Sequence, residues 1–485
     1  MASLSAVCGA STNPRSETPG MTIAAEPQTI ARYLQLMDTN EPPAATELAY
    51  TQAVVSNTTA RSLSIVSPLR RVPPEILSEI FVWTQPLPAD LGGRPELKTR
   101  WLITQVSRRW REIALSTPSL WSLVCVSSKR KVDPIAMIQA QLQRARSLKI
   151  HFYGSQTEDS TAGIELFRFL SEHSVRWEEL FIRLTAGLVP LLSTLRGRLP
   201  SLRRLMIQWC KAESQIGVDR IECFETASSL EDVGTYSFRY IPIPFPTDRL
   251  TSYRMEGPLE FHRRVLKMAP NIIEAQVMVP LDNPSWPEPS DSAIDMLHLK
   301  CLYVTHGQIL DHLRAPSLAE IAVHFSSTNA DPVLDHLDAF LLRSSCAPRR
   351  FCVVRLPDVS ITEEILRKYP FITAISFVSK SIQAVNAHLS MFAKTPIAFP
   401  HLNDICFASF DGITFDYPLV LKMLQTRRSA QSALASAAFV TSNGPGSDPI
   451  TGNALDALKE AGMNLSILEN KPYRKLLIYQ SPWVF

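Results

Sequence analysis

The chain has 485 residues, of which 45% are hydrophobic and 20% charged, an ordinary globular composition that excludes a protein dominated by disorder. Its formal net charge of +3 is too small to favour nucleic acid or an anionic membrane as a partner. No apolar run approaches the roughly 20 residues of a membrane span, and the first residues lack a signal-peptide pattern. We therefore expect an intracellular protein of the cytoplasm or nucleus, with its eight scattered cysteines as reduced thiols.

Residues 1 to about 60 form an arm rich in Ser, Thr, Ala and Pro. Only the segment from Ile30 to Met37 has apolar residues dense enough for a helix. Such a composition buries too little apolar surface to offset the entropy lost on ordering. We expect residues 1–60 to be largely disordered.

The first strong helix signal follows at two prolines, Pro73 and Pro74. Proline suits the first turn of a helix, where a missing N–H has no helical partner, and Glu75 complements the positive end of the helix dipole. Apolar residues then occupy positions i, i+1, i+4 and i+5: Ile76, Leu77, Ile80 and Phe81. This stripe needs a cover, which is either the interior of a helical bundle or a partner.

A second helical stretch begins near Leu97, after an irregular connection rich in proline and glycine. It ends at Thr117, because Pro118 disfavours helical backbone angles in the residue before it. A helical stripe is approximated by Trp101, Leu102, Gln105, Val106 and Trp110. Leu120 and Trp121 are expected to pack these helices onto the residues that follow.

The series from Val72 to Phe81, from Val106 to Ala114 and from Pro118 to Trp121 resembles an F-box. Val72 stands where the family usually has leucine, and Ser107 stands where cysteine is frequent. The resemblance implies a helical domain, residues 66–126, that binds the Skp-type adaptor of an SCF ubiquitin ligase and, through it, a cullin scaffold. Carried over residue by residue, the adaptor-binding candidates are Pro73, Ile76, Leu77, Ile80, Phe81, Val106 and Trp110.

Farther along the chain, a phrase of the form Pro-x-apolar-x-x-apolar-x-apolar recurs at intervals of roughly twenty to thirty residues. Its clearest copies begin at Pro200, Pro270, Pro316, Pro370 and Pro400. Apolar residues at helical spacing precede most copies, which predicts the order helix, proline, short strand. Units of this kind bury their apolar faces by stacking, with parallel strands on one side and helices on the other.

This pattern resembles the irregular leucine-rich repeats that are common among F-box proteins. We expect an α/β leucine-rich-repeat-like solenoid over residues 145–485, with an irregular carboxyl-terminal cap that includes a short strand from Lys475 to Tyr479. The expected fold class is therefore α+β overall, a small all-α F-box helical module followed by this solenoid. The alternative is that the proline phrases are ordinary helix-to-strand punctuation in another kind of α/β domain.

Candidates for contact with a substrate are exposed side chains near the ends of the predicted strands. Aromatic and arginine side chains dominate the energy of protein interfaces. We select four such positions: Trp209, Tyr240, Arg254 and His324. Loop insertions such as Pro242 to Pro246 are also expected to project from one face, where loops often carry recognition.

No motif for catalysis, a metal or a cofactor is present in the sequence. The segment from Gly444 to Gly452 lacks the Lys-Ser or Lys-Thr pair of a phosphate loop. His298, His306 and His312 have no Cys or Glu at ligand spacing, and no hydrolase or kinase series occurs. We expect a chain that is not an enzyme; an enzyme of an unfamiliar kind would need groups that converge from distant segments.

These features predict the substrate-recognition subunit of an SCF-type (cullin-RING) E3 ubiquitin ligase. Such an adaptor is not catalytic itself, because it acts by raising the effective concentration of a protein substrate near the transferring enzyme. The alternative is a leucine-rich-repeat scaffold that binds proteins without a ubiquitin role, in which the helix stripe is only domain packing.

Overall fold

A computed structural model describes residues 52, 71–85, 98–127, 135–154, 161–280, 293–325, 333–394, 399–409, 415–429, 433–441 and 449–469. The chain divides into two compact units, Met1–Pro73 and Pro74–Phe485. The first unit is described only at Gln52 and at 71–73. The disorder expected for 1–60 therefore falls, apart from Gln52, outside the described residues, as does the strand expected at 475–479.

The described part of the second unit begins with three short helices and continues as an alternation of helices and strands. The helices are α1 (Pro74–Trp83), α2 (Lys98–Val106), α3 (Arg108–Leu115), α4 (Ile135–Arg144), α5 (Thr161–Ser171), α6 (Val189–Leu192), α7 (Leu259–Met268), α8 (Val333–Ser344), α9 (Val359–Lys368), α10 (Ile382–Phe392), α11 (Tyr417–Ser429) and α12 (Pro449–Glu460). Short 3-10 turns, including Pro118–Trp121, lie between some of them.

The strands are short, as the proline phrases predict. They are β1 (Leu123–Ser127), β2 (Leu148–Tyr153), β3 (Trp177–Leu184), β4 (Arg204–Trp209), β5 (Asp232–Tyr236), β6 (Ser252–Glu256), β7 (Glu274–Met278), β8 (Ile294–Asp295), β9 (Cys301–Val304), β10 (Leu313–Arg314), β11 (Glu320–His324), β12 (Arg350–Val354), β13 (Ala374–Ser379), β14 (Asp404–Ser409), β15 (Ser436–Thr441) and β16 (Asn464–Glu469).

Fourteen of these strands form one parallel sheet, in which spatial order follows chain order; β8 and β10 pair separately. One row of apolar residues runs in register across the whole sheet: Val124, Ile150, Leu180, Leu205, Val233, Tyr253, Ala275, Leu302, Ile321, Phe351, Ile375, Ile405, Ala437 and Leu465. Every member of this row is buried. Because side chains alternate along a strand, the row two residues farther on shares this covered face.

Arginines connect successive segments by donating to carbonyls that a helix end leaves without a helical partner. Arg176 donates to Leu142 O and Ala145 O, at the end of α4. Arg198 donates to Glu172 O, just after α5, and Arg428 donates to Ala461 O, just after α12. Each arginine therefore caps the end of a neighbouring segment.

The expected fold class is wrong. The strands hydrogen-bond into one large parallel sheet of 14 strands with helices, an α/β fold, and not into a small all-α module followed by a solenoid. The three helices belong to the same compact unit as the sheet. Hydrogen bonds explain this: buried Arg100 of α2 donates to Leu123 O at 2.7 Å, and Gln141 donates to the carbonyls of Trp121 and Leu123.

The residues that the structure describes include no helix long and apolar enough to cross a membrane.

Candidate protein-binding surfaces

The interior of the helical module, defined as α1 to α3 with the turn Pro118–Trp121, is built around the inner side of α1. Leu77 and Phe81, one turn apart, are almost fully buried. The ring of Phe81 lies 4.9 Å from that of Trp110 on α3. The Trp121 ring, which lies 4.9 Å from Trp101, donates its Nε1–H to Ala114 O at 2.8 Å.

The outer side of α1 carries the other half of the predicted stripe. Ile76 is 52% exposed and Ile80 is 44% exposed, again one turn apart, and Trp83 continues the same side one turn later. On α2, Leu102 and Val106 form a second exposed pair at i, i+4. The described residues thus leave two apolar helix faces open to solvent.

Exposed apolar residues are concentrated in this module. Six of the fifteen large apolar side chains that are exposed in the described part of the chain lie in α1 to α3: Ile76, Ile80, Trp83, Leu102, Val106 and Leu115. A scattered exposed leucine needs no explanation, but a concentration of this kind marks a site of interaction. The module is therefore the first candidate surface.

The start of α3 is fixed by Ser107. Its hydroxyl oxygen accepts a hydrogen bond from Trp110 N at 3.1 Å, which makes it the N-cap of the helix. Arg111 Nε donates to Thr104 O at 2.8 Å and so links α3 back to α2. Serine at this position orients Trp110 against Phe81.

The seven predicted adaptor-binding residues consequently differ in what they offer a partner. Pro73, the last residue of the first unit, is exposed, as are Ile76, Ile80 and Val106, whereas Trp110 is half-buried. Leu77 and Phe81 lie in the interior and support the surface from within. Their sequence positions alone could not separate the two groups, because a stripe two residues wide has two sides.

The second candidate surface is the face of the sheet opposite the covered one, here called the second face. Between β3 and β7 it is charged: Arg254 on β6 donates to Asp232 on β5 at 2.5 Å, and Arg204 lies 3.5 Å from Glu179. From β9 onward the same face carries an apolar buried cluster of Tyr303, Ala322, Cys352, Val378, Ala408 and Val440. An ion pair between Glu320 on β11 and Arg350 on β12, at 3.5 Å, extends the charged residues beside this cluster.

A histidine–carboxylate pair lies at the β2 end of this polar region. His151 Nε2 and Glu179 Oε1 are 2.6 Å apart, and the His151 ring stacks on Phe181. Burial alone would raise the pKa of Glu179, but the hydrogen bond from His151 and the charges of His151 and Arg204 lower that pKa below its ordinary value. The pair is held rigidly and stabilises the carboxylate form.

Glu274 on β7 is in the opposite situation. Burial raises its pKa; the charge of Arg254 works against that rise, and Asp232 adds to it. Buried oxygens of Glu274 and Asp232, Oε1 and Oδ1 respectively, have no hydrogen-bond partner among the described residues.

The four residues predicted to contact a substrate do not form one site. They extend from β4 to β11, roughly 24 Å across the sheet at ~4.8 Å per strand. Trp209 was expected to be exposed but is buried, because it lies two residues after Ile207 on the covered face of β4. Arg254 is paired with Asp232, and burial lowers the pKa of His324 to about 4. Tyr240 lies in the loop after β5 and is half-buried.

The loops after β4 and β5 form a rigid surface that the sequence did not reveal. Buried Gln215 accepts hydrogen bonds from Phe238 N and Arg239 N, both at 3.0 Å, and donates to Arg239 O. Arg239 in turn donates to Gln215 O and Val218 O. The only sequence signal was the neighbouring proline-rich stretch from Pro242 to Pro246, which marked an irregular loop but not its contacts.

The described residues contain no group of three or more His, Cys, Asp or Glu side chains arranged to hold a metal ion. The two candidate surfaces are an apolar helix face and a charged sheet face beside hydrogen-bonded loops. No protein-family model matches the chain, and no curated protein matches it.

Proposed function

We propose that this chain is the substrate-recognition subunit of an SCF-type ubiquitin ligase in the cytoplasm or nucleus. The helical module binds the Skp-type adaptor and, through it, a cullin scaffold, while the sheet region binds a protein substrate. The chain supplies proximity between substrate and transferring enzyme and no catalytic group of its own. The proposal rests on the F-box-like residues themselves and not on a match to a family model.

The observation that carries the proposal is the exposure of Ile76, Ile80 and Val106. These three residues come from the two segments that resemble the adaptor-binding pattern. A module used only for internal packing gains nothing from apolar side chains directed at water. Each of these side chains is about half exposed, so its complete burial in an interface would contribute on the order of 1 kcal/mol.

The structure also offers support for a second candidate function, a protein-binding scaffold with no ubiquitin role. The module is tied to the first strand through Arg100, Gln141 and Trp121, so part of its apolar surface has a structural purpose. If the chain is such a scaffold, packing of the buried side of the helical module is sufficient to explain the F-box-like sequence. The outer residues then should be replaceable without loss of any interaction.

The deciding experiment measures binding of the purified chain to the Skp-type adaptor. Wild type is expected to form a stable complex, and Ile76→Asp with Ile80→Asp is expected to weaken it at least tenfold, because charges would be buried against an apolar partner. Both substitutions are at exposed positions, so folding should be preserved. Substitution of Phe81 is unsuitable, because its ring is in the interior.

Leu342→Asp is the matched control, since Leu342 on α8 is an equally apolar helix residue that is 83% exposed. It should bind the adaptor as wild type does, and all three proteins should show the same thermal transition. Failure of the wild-type chain to bind the adaptor would rule out the ligase role. It would leave the scaffold as the better account of the module.

A further inference from the structure

Two exposed apolar side chains lie on the pair of loops that Gln215 holds together. Ile216, which is 75% exposed, directly follows Gln215. Phe238, which is 52% exposed, donates its backbone N–H to the side-chain oxygen of Gln215. The loops are fixed by buried hydrogen bonds rather than by these two side chains. The side chains of Ile216 and Phe238 therefore face solvent on a backbone that is already ordered. Less entropy is lost when a partner binds to such a surface.

Beside this apolar pair is an aromatic and cationic group. The ring of Tyr240 lies 5.1 Å from that of Phe261 at the start of α7, and the Arg264 guanidinium lies 5.9 Å from the Phe261 ring. Gly257 permits this arrangement, because a Cβ at that position would lie 2.9 Å from Tyr240 Cδ2. The group is thus closely packed and not an accidental surface cluster.

Arg264 is exposed, and no carboxylate of the described residues lies within ion-pair distance of it. Glu260, one turn earlier on α7, is paired with Arg263 instead. Burial raises the pKa of the Tyr240 phenol, whereas the positive charges of Arg264 and Arg220 lower it. Both guanidinium groups therefore contribute positive potential at the Tyr240 hydroxyl. The local field favours an anionic group.

We propose that these loops bind an extended protein segment that carries an apolar side chain within two residues of an acidic one. The apolar side chain packs on Phe238 and Ile216, and the carboxylate binds Arg264 beside the Tyr240 hydroxyl. This inference rests on the proposed function, because it names the class of substrate that the receptor takes. We call Ile216, Phe238, Tyr240 and Arg264 the loop platform.

The composition of the loop platform supports this choice of ligand. Phe238 and Tyr240 are two residues apart on one loop, which bends at Phe238 and Arg239. A short segment of a partner can therefore contact the apolar side chain of Phe238 and the polar end of the platform together. Exposed apolar anchors at the platform favour a protein over a nucleic acid, which would instead need several phosphate contacts.

The test is selection from a random peptide display library on the full chain, followed by affinity measurements with the selected peptides. Peptides enriched on wild type should contain an apolar residue within two positions of Asp or Glu. Phe238→Ser and Arg264→Glu should each weaken their binding at least tenfold. In addition, Arg264→Glu should recover affinity for the same peptide with Lys in place of its acidic residue.

Leu342→Ser and Arg367→Glu are the matched controls, because both alter exposed helix residues far along the chain from the platform. They should bind the peptides as wild type does. Enriched peptides that lack acidic residues, or that bind Arg264→Glu unchanged, would overturn the proposal. So would a failure to enrich any peptide, or a single-stranded oligonucleotide that displaces the peptides and loses affinity in Arg264→Glu.

The same proteins separate this inference from the ligase role. The Ile76→Asp, Ile80→Asp variant should retain full peptide binding while it loses the adaptor. Phe238→Ser and Arg264→Glu should retain the adaptor while they lose the peptides. Failure of the wild-type chain to bind the adaptor would refute only the ligase function. Unchanged peptide binding in Phe238→Ser and Arg264→Glu would refute only the proposed peptide site on the loop platform.

Discussion

At the scale of single residues, His262 shows how burial restricts a titratable group. Its Nε2 lies 3.0 Å from Gly257 O and 3.2 Å from Met278 O, and its Nδ1 lies 2.6 Å from the Tyr253 hydroxyl. Carbonyl oxygens only accept, so Nε2 carries the proton and Nδ1 accepts from Tyr253. A second proton has no place in this network, and burial lowers the pKa of His262 to about 4.

This histidine should make the protein less stable in mild acid. The unfolded chain binds a proton with a pKa near 6.5 while the folded chain does not until about pH 4. The free energy of unfolding should therefore fall by about 3 kcal/mol between pH 7 and pH 4 on account of this group. Urea unfolding at several pH values measures the fall.

His262→Gln is the control for that measurement, because glutamine retains one donor and one acceptor but does not titrate. Between pH 7 and pH 4 this variant should lose about 3 kcal/mol less of its free energy of unfolding than wild type does, which is the part of the loss assigned to His262. Equal pH dependence in the two proteins would mean that other groups, such as His324 and the carboxylates, account for the whole effect.

At the scale of elements, arginine side chains join several helix ends to neighbouring segments. Arg343, on the last turn of α8, donates to Leu310 O at 2.6 Å and to Leu313 O at 3.0 Å. These carbonyls belong to the 3-10 turn Gly307–His312 and the residue after it. Without the guanidinium they would lose their charged donor in a partly buried place.

Arg343→Met should therefore lower the free energy of unfolding by about 2 kcal/mol, since hydrogen bonds to charged groups contribute roughly 1.5 to 3 kcal/mol. Chemical denaturation measures the change. Arg367→Met, at an exposed arginine on α9, should change stability by less than about 0.5 kcal/mol. Similar losses in both variants would show that the methionine substitution acts through helix propensity and not through the lost cap.

At the scale of the whole molecule, Trp121 joins the helical module to the sheet. Its ring packs against Trp101, lies 5.0 Å from the Arg144 guanidinium and donates to Ala114 O. Because only Ser122 separates Trp121 from β1, these contacts hold the start of the first strand beside the module. The module and the first strands should consequently unfold together.

Trp121→Ala should cost about 4 kcal/mol, as is usual for removal of a large buried aromatic side chain. In hydrogen exchange, the amides of α3 and of β1 should lose protection together. Trp83→Ala makes the same substitution at an 82% exposed tryptophan of α1 and should leave exchange unchanged. Loss of protection in α3 alone would indicate that the module unfolds as a separate domain.

Much of the local structure could be predicted because it depends on neighbouring residues. The prolines at 73 and 74 predicted the start of α1 to within a residue, and the phrases at Pro200, Pro270 and Pro316 predicted short strands that the structure places at β4, β7 and β11. Their parallel pairing also followed from the alternation with helices. Each of these features is governed by backbone chemistry and apolar spacing over a few residues.

The sequence by itself thus predicted the start of α1, the short strands after the proline phrases and the apolar stripe, and it contains no known catalytic motif. It predicted one helix from Leu97 to Thr117, where the structure has α2 and α3 with a break at Ser107. Only the tertiary structure decided that Leu77 and Phe81 face inward while Ile76 and Ile80 face water, that Trp209 is buried, and that the helices belong to the same unit as a 14-stranded sheet. The physical reason is distance along the chain. Contacts such as Arg100 to Leu123 and Gln215 to Phe238 join residues 23 positions apart, and no local spacing encodes them.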